Sequence, residues 1–170
     1  EAGDRAQDGA TVERVATLRA DVVAWSRRLA SAPGRATIDH NDLHARNVLL
    51  GDDGESWICD WGDSVVAHPF SSMLVTLSVV RERMLGCCGL DDPRLLRVRD
   101  AYLEPFAGLA PHAELVRTLE LACRLSKVTR ALTWQWVLDA LDPRDVREEW
   151  RRAPLECLQS LAADSYLGAP

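Results

Sequence analysis

The stretch that most constrains this chain is residues 38–63, Ile-Asp-His-Asn-Asp-Leu-His-Ala-Arg-Asn-Val-Leu-Leu-Gly-Asp-Asp-Gly-Glu-Ser-Trp-Ile-Cys-Asp-Trp-Gly-Asp. Two apolar runs, Val48-Leu49-Leu50 and Trp57-Ile58-Cys59, flank Gly51-Asp52-Asp53-Gly54. Glycine and aspartate tolerate the positive φ values of tight turns, so the segment predicts a β-hairpin. Closing that hairpin brings Asn47 and Asp60 to one end, beside Asp42. The result is one carboxylate free to meet a hydroxyl, with an amide and a second carboxylate to hold a hard cation. Mg²⁺ suits such oxygen donors, because it keeps several waters and takes only one or two protein groups plus phosphate.

Protein kinases arrange phosphoryl transfer in this way. A loop Asp accepts the hydroxyl proton, an Asn binds one metal ion, and an Asp before Gly bridges the metals on the nucleotide phosphates. The run His40-Asn41-Asp42-Leu43-His44-Ala45-Arg46-Asn47-Val48-Leu49, followed by an apolar strand and Asp60-Trp61, resembles the aminoglycoside phosphotransferase and choline kinase-like family. The continuation Gly62-Asp63-Ser64-Val65-Val66-Ala67-His68-Pro69-Phe70 is similar to the segment that follows the metal aspartate in small-molecule kinases of that family. Many members have Gly where Asn41 stands and Pro or Gly near Arg46; neither departure touches the three oxygen-bearing positions. The resemblance implies Asp42 as catalytic base, and Asn47 and Asp60 as ligands of Mg²⁺ and of the ATP or GTP it carries. His44, two residues after Asp42, reads as a second catalytic group beside that base or as a purely structural residue. The resemblance also implies an α+β, mostly α fold, the helical C-terminal lobe of a protein-kinase-like fold with one small β-hairpin at the catalytic loop. The expected substrate is a hydroxyl-bearing small molecule, compatible with a cationic one.

At 170 residues the chain fits a single domain over 1–170. A net charge of -6 argues against a nucleic-acid partner, because phosphate-binding surfaces are usually basic. The nearly apolar run from Met73 to Val80 is far short of the ~20 residues a membrane span needs. The start, Glu-Ala-Gly-Asp-Arg-Ala-Gln-Asp, lacks the basic and apolar regions of a signal peptide. Five cysteines without metal spacing read as reduced thiols, and these features together predict a cytoplasmic protein. The chain contains no Gly-x-Gly-x-x-Gly and no Gly-x-x-x-x-Gly-Lys, and its one lysine, Lys127, lies deep in a helical pattern. A kinase fold needs a Gly-rich loop and a strand-borne Lys on the nucleotide. The N-terminal nucleotide lobe is therefore expected outside a chain that begins at Glu1, and the surface that lobe would cover, near residues 47–61, is expected to be exposed and able to pair with a second copy.

In chain order, residues 1–10 read as a frayed end and 11–31 as a helix capped by Thr11 and stopped by Pro33-Gly34. A helix from Phe70 to about Leu85 ends at Gly86; another follows Asp91 or Asp92, with Pro93 in its first turn, to about Phe106. Pro111 opens a long helix to about 141, with Leu115, Leu119, Ala122, Leu125, Leu132 and Trp136 on one buried side. Asp142-Pro143 caps the next, and Pro154 divides the last stretch into 143–152 and 154–164.

Several residues carry a sharper and a plainer reading. Trp134, Trp136 and Trp150 form either an aromatic cage for a quaternary ammonium or ordinary core. Asp139, Asp142, Glu148 and Glu149 either face a polyamine or are a solvated helical face. Arg117, Arg124, Lys127 and Arg130 read most simply as a partly solvated stripe. Asp63 holds a turn or binds a second metal, and His68 is structural. Two other functions stay open: a kinase-like binding module without catalysis, and a metallohydrolase using His40 and His44, four residues apart.

Overall fold

The computed structural model describes residues 2–163 and 165–167. Helices dominate and the strands are short and antiparallel, so the fold is mostly α with some β, as a kinase-like C-terminal lobe is. The N-terminal stretch forms two helices, α1 (Ala2–Thr17) and α2 (Arg19–Ala30), so the end expected to fray is helical from residue 2 and Thr11 lies inside a helix instead of capping one. The break falls at Leu18, whose N–H donates to Val15 O at 3.0 Å, an i→i−3 bond that ends α1. Arg14 of α1 donates to Ala162 O at the far end of the chain.

Beyond α2 the chain turns at Gly34, with φ +114°. A Cβ there would stand 3.0 Å from His68 Nε2, so glycine is required both by the dihedral and by the close approach. His68 accepts from Phe70 N–H at Nδ1 and donates from Nε2 to Pro33 O at 3.0 Å, which ties the two segments together. Burial holds its imidazole below the ordinary histidine range.

The expected hairpin is present as β2 (Val48–Leu50) and β3 (Ser56–Ile58), with Leu49 opposite Trp57 and Gly54 at φ +84° in its turn. A second ribbon was not expected: β1 (Thr37–Asp39) pairs with β4 (Val65–Ala67), Ile38 opposite Val66. Three residues per strand are too few for a period-2 signal, and the pairing is between segments far apart in sequence. These two ribbons hold the loop 40–47 and the turn 59–64 between them.

α3 (Met73–Val79) passes into a π-helical turn, Val80–Met84, that stops before Gly86 at φ +68°. α4 (Pro93–Leu103) starts as expected, with the Asp92 carboxylate accepting from Arg94 N–H at 2.9 Å. α5 (His112–Ala140) is the long central helix. Its N-terminal two thirds bury Leu115, Leu119, Ala122 and Cys123 against Phe70, Met73, Leu77, Leu95 and Leu103. The buried stripe does not extend to Leu132 and Trp136, which are exposed, Trp136 at 72%. α6 (Glu148–Leu161) runs through Pro154 without interruption. The proline removes one donor near the first turns, and the packing of α6 along α5 outweighs that loss. Residues 143–147 are non-helical, and residue 164, expected to end the last helix, lies outside the described residues.

All five cysteines are unpaired. Among the described residues no helix is long and apolar enough to cross a membrane.

Lys127 is buried on α5 at 2% exposure, where it donates to Ser160 O at 2.8 Å and Ser165 O at 2.9 Å. It is a clasp on the chain end and not part of a solvated stripe. Burial, and then the Arg124 cation, lower its ammonium from 10.5 to about 8. Between those two values the unfolded chain holds the proton and the folded chain does not, so this group makes stability rise with pH over that window. A neutral amine still donates to both carbonyls. The difference in unfolding free energy between wild type and Lys127→Met, followed by urea titration from pH 7 to 10.5, should therefore shift in favour of wild type as pH rises. A pH-independent difference would mean that Lys127 stays charged in the fold.

Candidate functional site

The loop 39–47 is fixed by its own side chains. Asp39, buried at the end of β1, accepts from Asn41 N–H at 2.9 Å with Oδ1 and from Ser72 N–H and Oγ–H, both at 2.8 Å, with Oδ2. Burial pushes its carboxyl above the ordinary value, against those bonds, which favour the ionised form. Asn41 sits in the left-handed region at φ 61°, a conformation asparagine tolerates better than most residues. Its Nδ2 donates to Asp63 O at 3.2 Å and to Thr133 Oγ1 at 3.1 Å. The residue at which the chain departs from the commoner glycine thus ties the loop to both the turn and α5.

His40 is engaged at both nitrogens. Nδ1 accepts from Asp42 N–H at 3.3 Å, so Nε2 carries the hydrogen and donates to Cys59 O at 2.8 Å. Its ring lies 4.9 Å from that of Trp61. Neither nitrogen is free for a metal, which removes the paired-histidine reading with His44.

Asp42 follows directly. Its Oδ1 lies 3.0 Å from Arg130 Nη1, and the same nitrogen donates to Asn41 O at 2.7 Å. Its Oδ2 lies 3.5 Å from His44 Nε2, too long for a good hydrogen bond and open to another donor. The carboxylate is therefore held on one oxygen and accessible on the other. Arg130 was not distinguishable in sequence from its neighbours on the basic stripe. Its partner is 88 residues away, and no local pattern encodes that contact.

Asn47 ends a 3-10 turn, Ala45–Asn47, and is buried at 7% exposure. Its Nδ2 donates to Asp42 O at 3.0 Å, which commits the amide nitrogen inward and leaves Oδ1 to face away. Asn47 O accepts from Cys59 N–H at 2.9 Å, and Val48 pairs with Ile58, so Asn47 and Asp60 stand at the same open end of the hairpin. Asp60 is exposed and left-handed, at φ 63° and ψ 59°. An L-residue there costs on the order of 1–2 kcal/mol. Among the described residues its carboxylate has no hydrogen-bond or ion-pair partner. No cluster of three or more His, Cys, Asp or Glu capable of holding a metal occurs among them either. Any cation here would be held by one carboxylate and one amide, which is what Mg²⁺ on nucleotide phosphates requires and too little for zinc.

The remaining candidates disperse. Trp134 and Trp150 lie 6.4 Å apart, but Trp136 stands away from them in solvent and the Arg147 guanidinium covers the Trp150 ring at 4.7 Å, so no open cage forms. Asp142 pairs with Arg144 at 2.8 Å and Asp139 accepts from Gln135 at 2.8 Å. Glu148 and Glu149 lie near Arg151 and Arg147. Asp63 contributes its backbone carbonyl to Asn41. The hairpin displays Leu49, Leu50, Trp57 and Ile58 to solvent, Leu50 at 80%.

No curated protein and no solved structure matches the chain significantly. The family model described as the phosphotransferase enzyme family, APH, matches residues 2–115, about two thirds of the chain, and spans the whole loop, hairpin and Asp60 turn. The chain thus belongs to the APH phosphotransferase enzyme family, whose members are phosphotransferases of kinase-like type.

Proposed function

We propose that this chain is the metal- and acceptor-holding half of an ATP- or GTP-dependent phosphotransferase that acts on a hydroxyl of a small molecule. The observation that carries the reading is the division of labour at Asp42: Arg130 holds one oxygen at 3.0 Å while the other is left open. A substrate hydroxyl donating to that open oxygen would be oriented for in-line attack, with Asp42 Oδ2 accepting its proton as the new oxygen–phosphorus bond forms, while the bond from the γ-phosphorus to the β,γ-bridging oxygen breaks and the nucleoside diphosphate leaves. His44, 3.5 Å from the same oxygen, borders the position the hydroxyl would take. Asn47 Oδ1 and the Asp60 carboxylate would hold Mg²⁺. Bound Mg²⁺ supplies charge neutralisation on the nucleotide phosphates.

The Gly-rich loop and strand lysine that clamp the nucleotide are not among these 170 residues, so the reading assigns them to sequence outside them. The exposed apolar side chains of the hairpin, Leu49 and Trp57 on one face and Leu50 and Ile58 on the other, are the surface against which that lobe, or a second copy, would pack.

The test is turnover by the full-length gene product with Mg-ATP and a panel of small alcohols. In that protein Asp60→Asn keeps a residue that tolerates positive φ but removes the charge, so turnover should fall by about 10²-fold or more with little change in melting temperature. In the 170-residue chain alone, Mg²⁺ titrated by NMR should not saturate below the millimolar range, because two protein oxygens do not replace the ion's hydration shell. Micromolar Mg²⁺ affinity without nucleotide, or wild-type turnover by Asp60→Asn, would remove Asp60 from the metal role.

A further inference from the structure

A cavity of about 240 Å³ opens beside Asp42, lined by Asp63, Arg130, Thr133, Trp134, Val137 and Trp150. Four of these lie at i, i+3, i+4 and i+7 on one face of α5, Trp150 enters from the first turn of α6, and Asp63 comes from the turn after Asp60. Apart from Asp63, they lie beyond the segment matched by the family model. Arg130 joins the cavity to the site, because the side chain that lines it also donates to Asp42.

The polar groups of this cavity are mostly spent. Thr133 Oγ1 accepts from Asn41 and donates to Thr129 O at 3.1 Å. Arg130 is committed to Asp42 and Asn41 O. Asp63 and Arg130 both line the cavity, one charge of each sign. What remains is the wall of Trp134, Val137 and Trp150. The Arg147 guanidinium already covers one face of Trp150. The acidic side chains on the nearby ends of α5 and α6, which would recognise a polyamine, each have a partner on the protein: Asp139 with Gln135, Asp142 with Arg144, Glu148 with Arg151 and Glu149 with Arg147.

We infer that the acceptor is an alcohol with an uncharged apolar ring or branched chain, seated on Trp134, Val137 and Trp150, and not a polycation. The inference rests on the reading of Asp42 as the group that meets the acceptor hydroxyl. The cavity is smaller than the roughly 300–1,000 Å³ of sites that enclose a drug-sized ligand. It therefore takes one apolar fragment, and the hydroxyl-bearing remainder extends along Arg130 to Asp42.

The experiment uses two probes of opposite character, 2-naphthaleneethanol and 1,3-diamino-2-propanol, titrated into the 170-residue chain without nucleotide or metal. The readout is the indole N–H resonances, with Trp134 and Trp150 assigned from their phenylalanine variants. The naphthyl alcohol should shift both indoles and saturate, and the diamino alcohol should shift neither. Trp150→Ala should weaken the naphthyl probe by about tenfold or more. Val137→Thr, which keeps the shape and adds a hydroxyl, should weaken it by a smaller factor. Trp136→Leu, at a solvent-facing position outside the cavity, should leave its affinity unchanged. Saturable binding of the diamino alcohol at these indoles, or no shift of them by the naphthyl alcohol, would overturn the inference. Turnover by the full-length product separates this from the reading beneath it. Phosphorylation of diamino alcohols that is insensitive to Trp150→Ala refutes the apolar acceptor and leaves phosphoryl transfer standing. Naphthyl binding with no phosphorylation of any alcohol leaves the apolar site and refutes phosphoryl transfer.

Discussion

Asp42→Asn should lower phosphoryl transfer by about 10²–10⁴-fold in the full-length gene product, the range lost when a positioned general base is removed. The substitution keeps the shape of the side chain and its amide oxygen can still accept from Arg130, so the change is chemical and not architectural. The fold should tolerate it. The side chains of Asp42 and Arg130 are 26% and 19% exposed, and a partly solvated pair of this kind contributes on the order of 1 kcal/mol or less. The anchors that shape the loop do not involve the Asp42 carboxylate: Asp39 to Ser72, His40 to Cys59 and Asn41 to Thr133. Initial rates with Mg-ATP, set beside thermal melts of both proteins, make the comparison. Turnover within about threefold of wild type would take Asp42 out of the base role, because removal of a general base leaves a far larger deficit. A collapse of the melting temperature together with activity would assign Asp42 to the architecture instead.

Much of this site was legible because it is local. The hairpin follows from two apolar runs around Gly51–Gly54, and its closure alone puts Asn47 and Asp60 at one end. Asp92 with Pro93, and Pro111, mark helix starts through backbone groups only one or two residues away. What escaped the sequence is non-local or depends on where the core stops. Arg130 and Lys127 are neighbours on one basic stripe, yet one clasps Asp42 and the other is buried against Ser160 and Ser165. Charge and periodicity are the same for both; only the tertiary partner differs. Leu132 and Trp136 continue the apolar spacing of α5 but extend past the helices that cover its first two thirds. The left-handed backbone of Asp60 has no signature, since the glycine that would suggest a special dihedral stands two residues later, at Gly62. Pro154 shows the opposite error, a strong local rule overridden by packing along a neighbouring helix.

Phe70→Ala should be the most destabilising single truncation near the site. The ring is fully buried, and it meets Phe106 edge-on at 4.9 Å and 90°, Tyr102 at 6.0 Å and His68 at 4.8 Å. Removing it deletes a large apolar surface and leaves a cavity among rings that are themselves anchored, Tyr102 by its hydroxyl donating to Pro69 O. Phenylalanine-to-alanine changes in such cores cost about 3–5 kcal/mol. That is a large share of the roughly 5–15 kcal/mol by which domains are stable, and corresponds to a fall in melting temperature of roughly 6–20 °C for a chain of this size. The effect should reach the site by a traceable route. Phe70 fixes the segment that carries Ser72, Ser72 holds the Asp39 carboxylate, and Asp39 holds the Asn41 amide one residue before Asp42. Hydrogen exchange at the amides of Asn41, Asp42 and Ser72 should therefore accelerate in Phe70→Ala beyond the acceleration at the hairpin amides of Leu49 and Trp57, which do not depend on that route. Trp136→Ala, an equally drastic truncation of an exposed ring, should stay within about 0.5 kcal/mol of wild type in urea denaturation. If Phe70→Ala also fell within about 1 kcal/mol, its ring would not be part of the core. If it were strongly destabilised but exchange rose uniformly, the chain from Phe70 through Ser72 and Asp39 would not be what holds the loop in place.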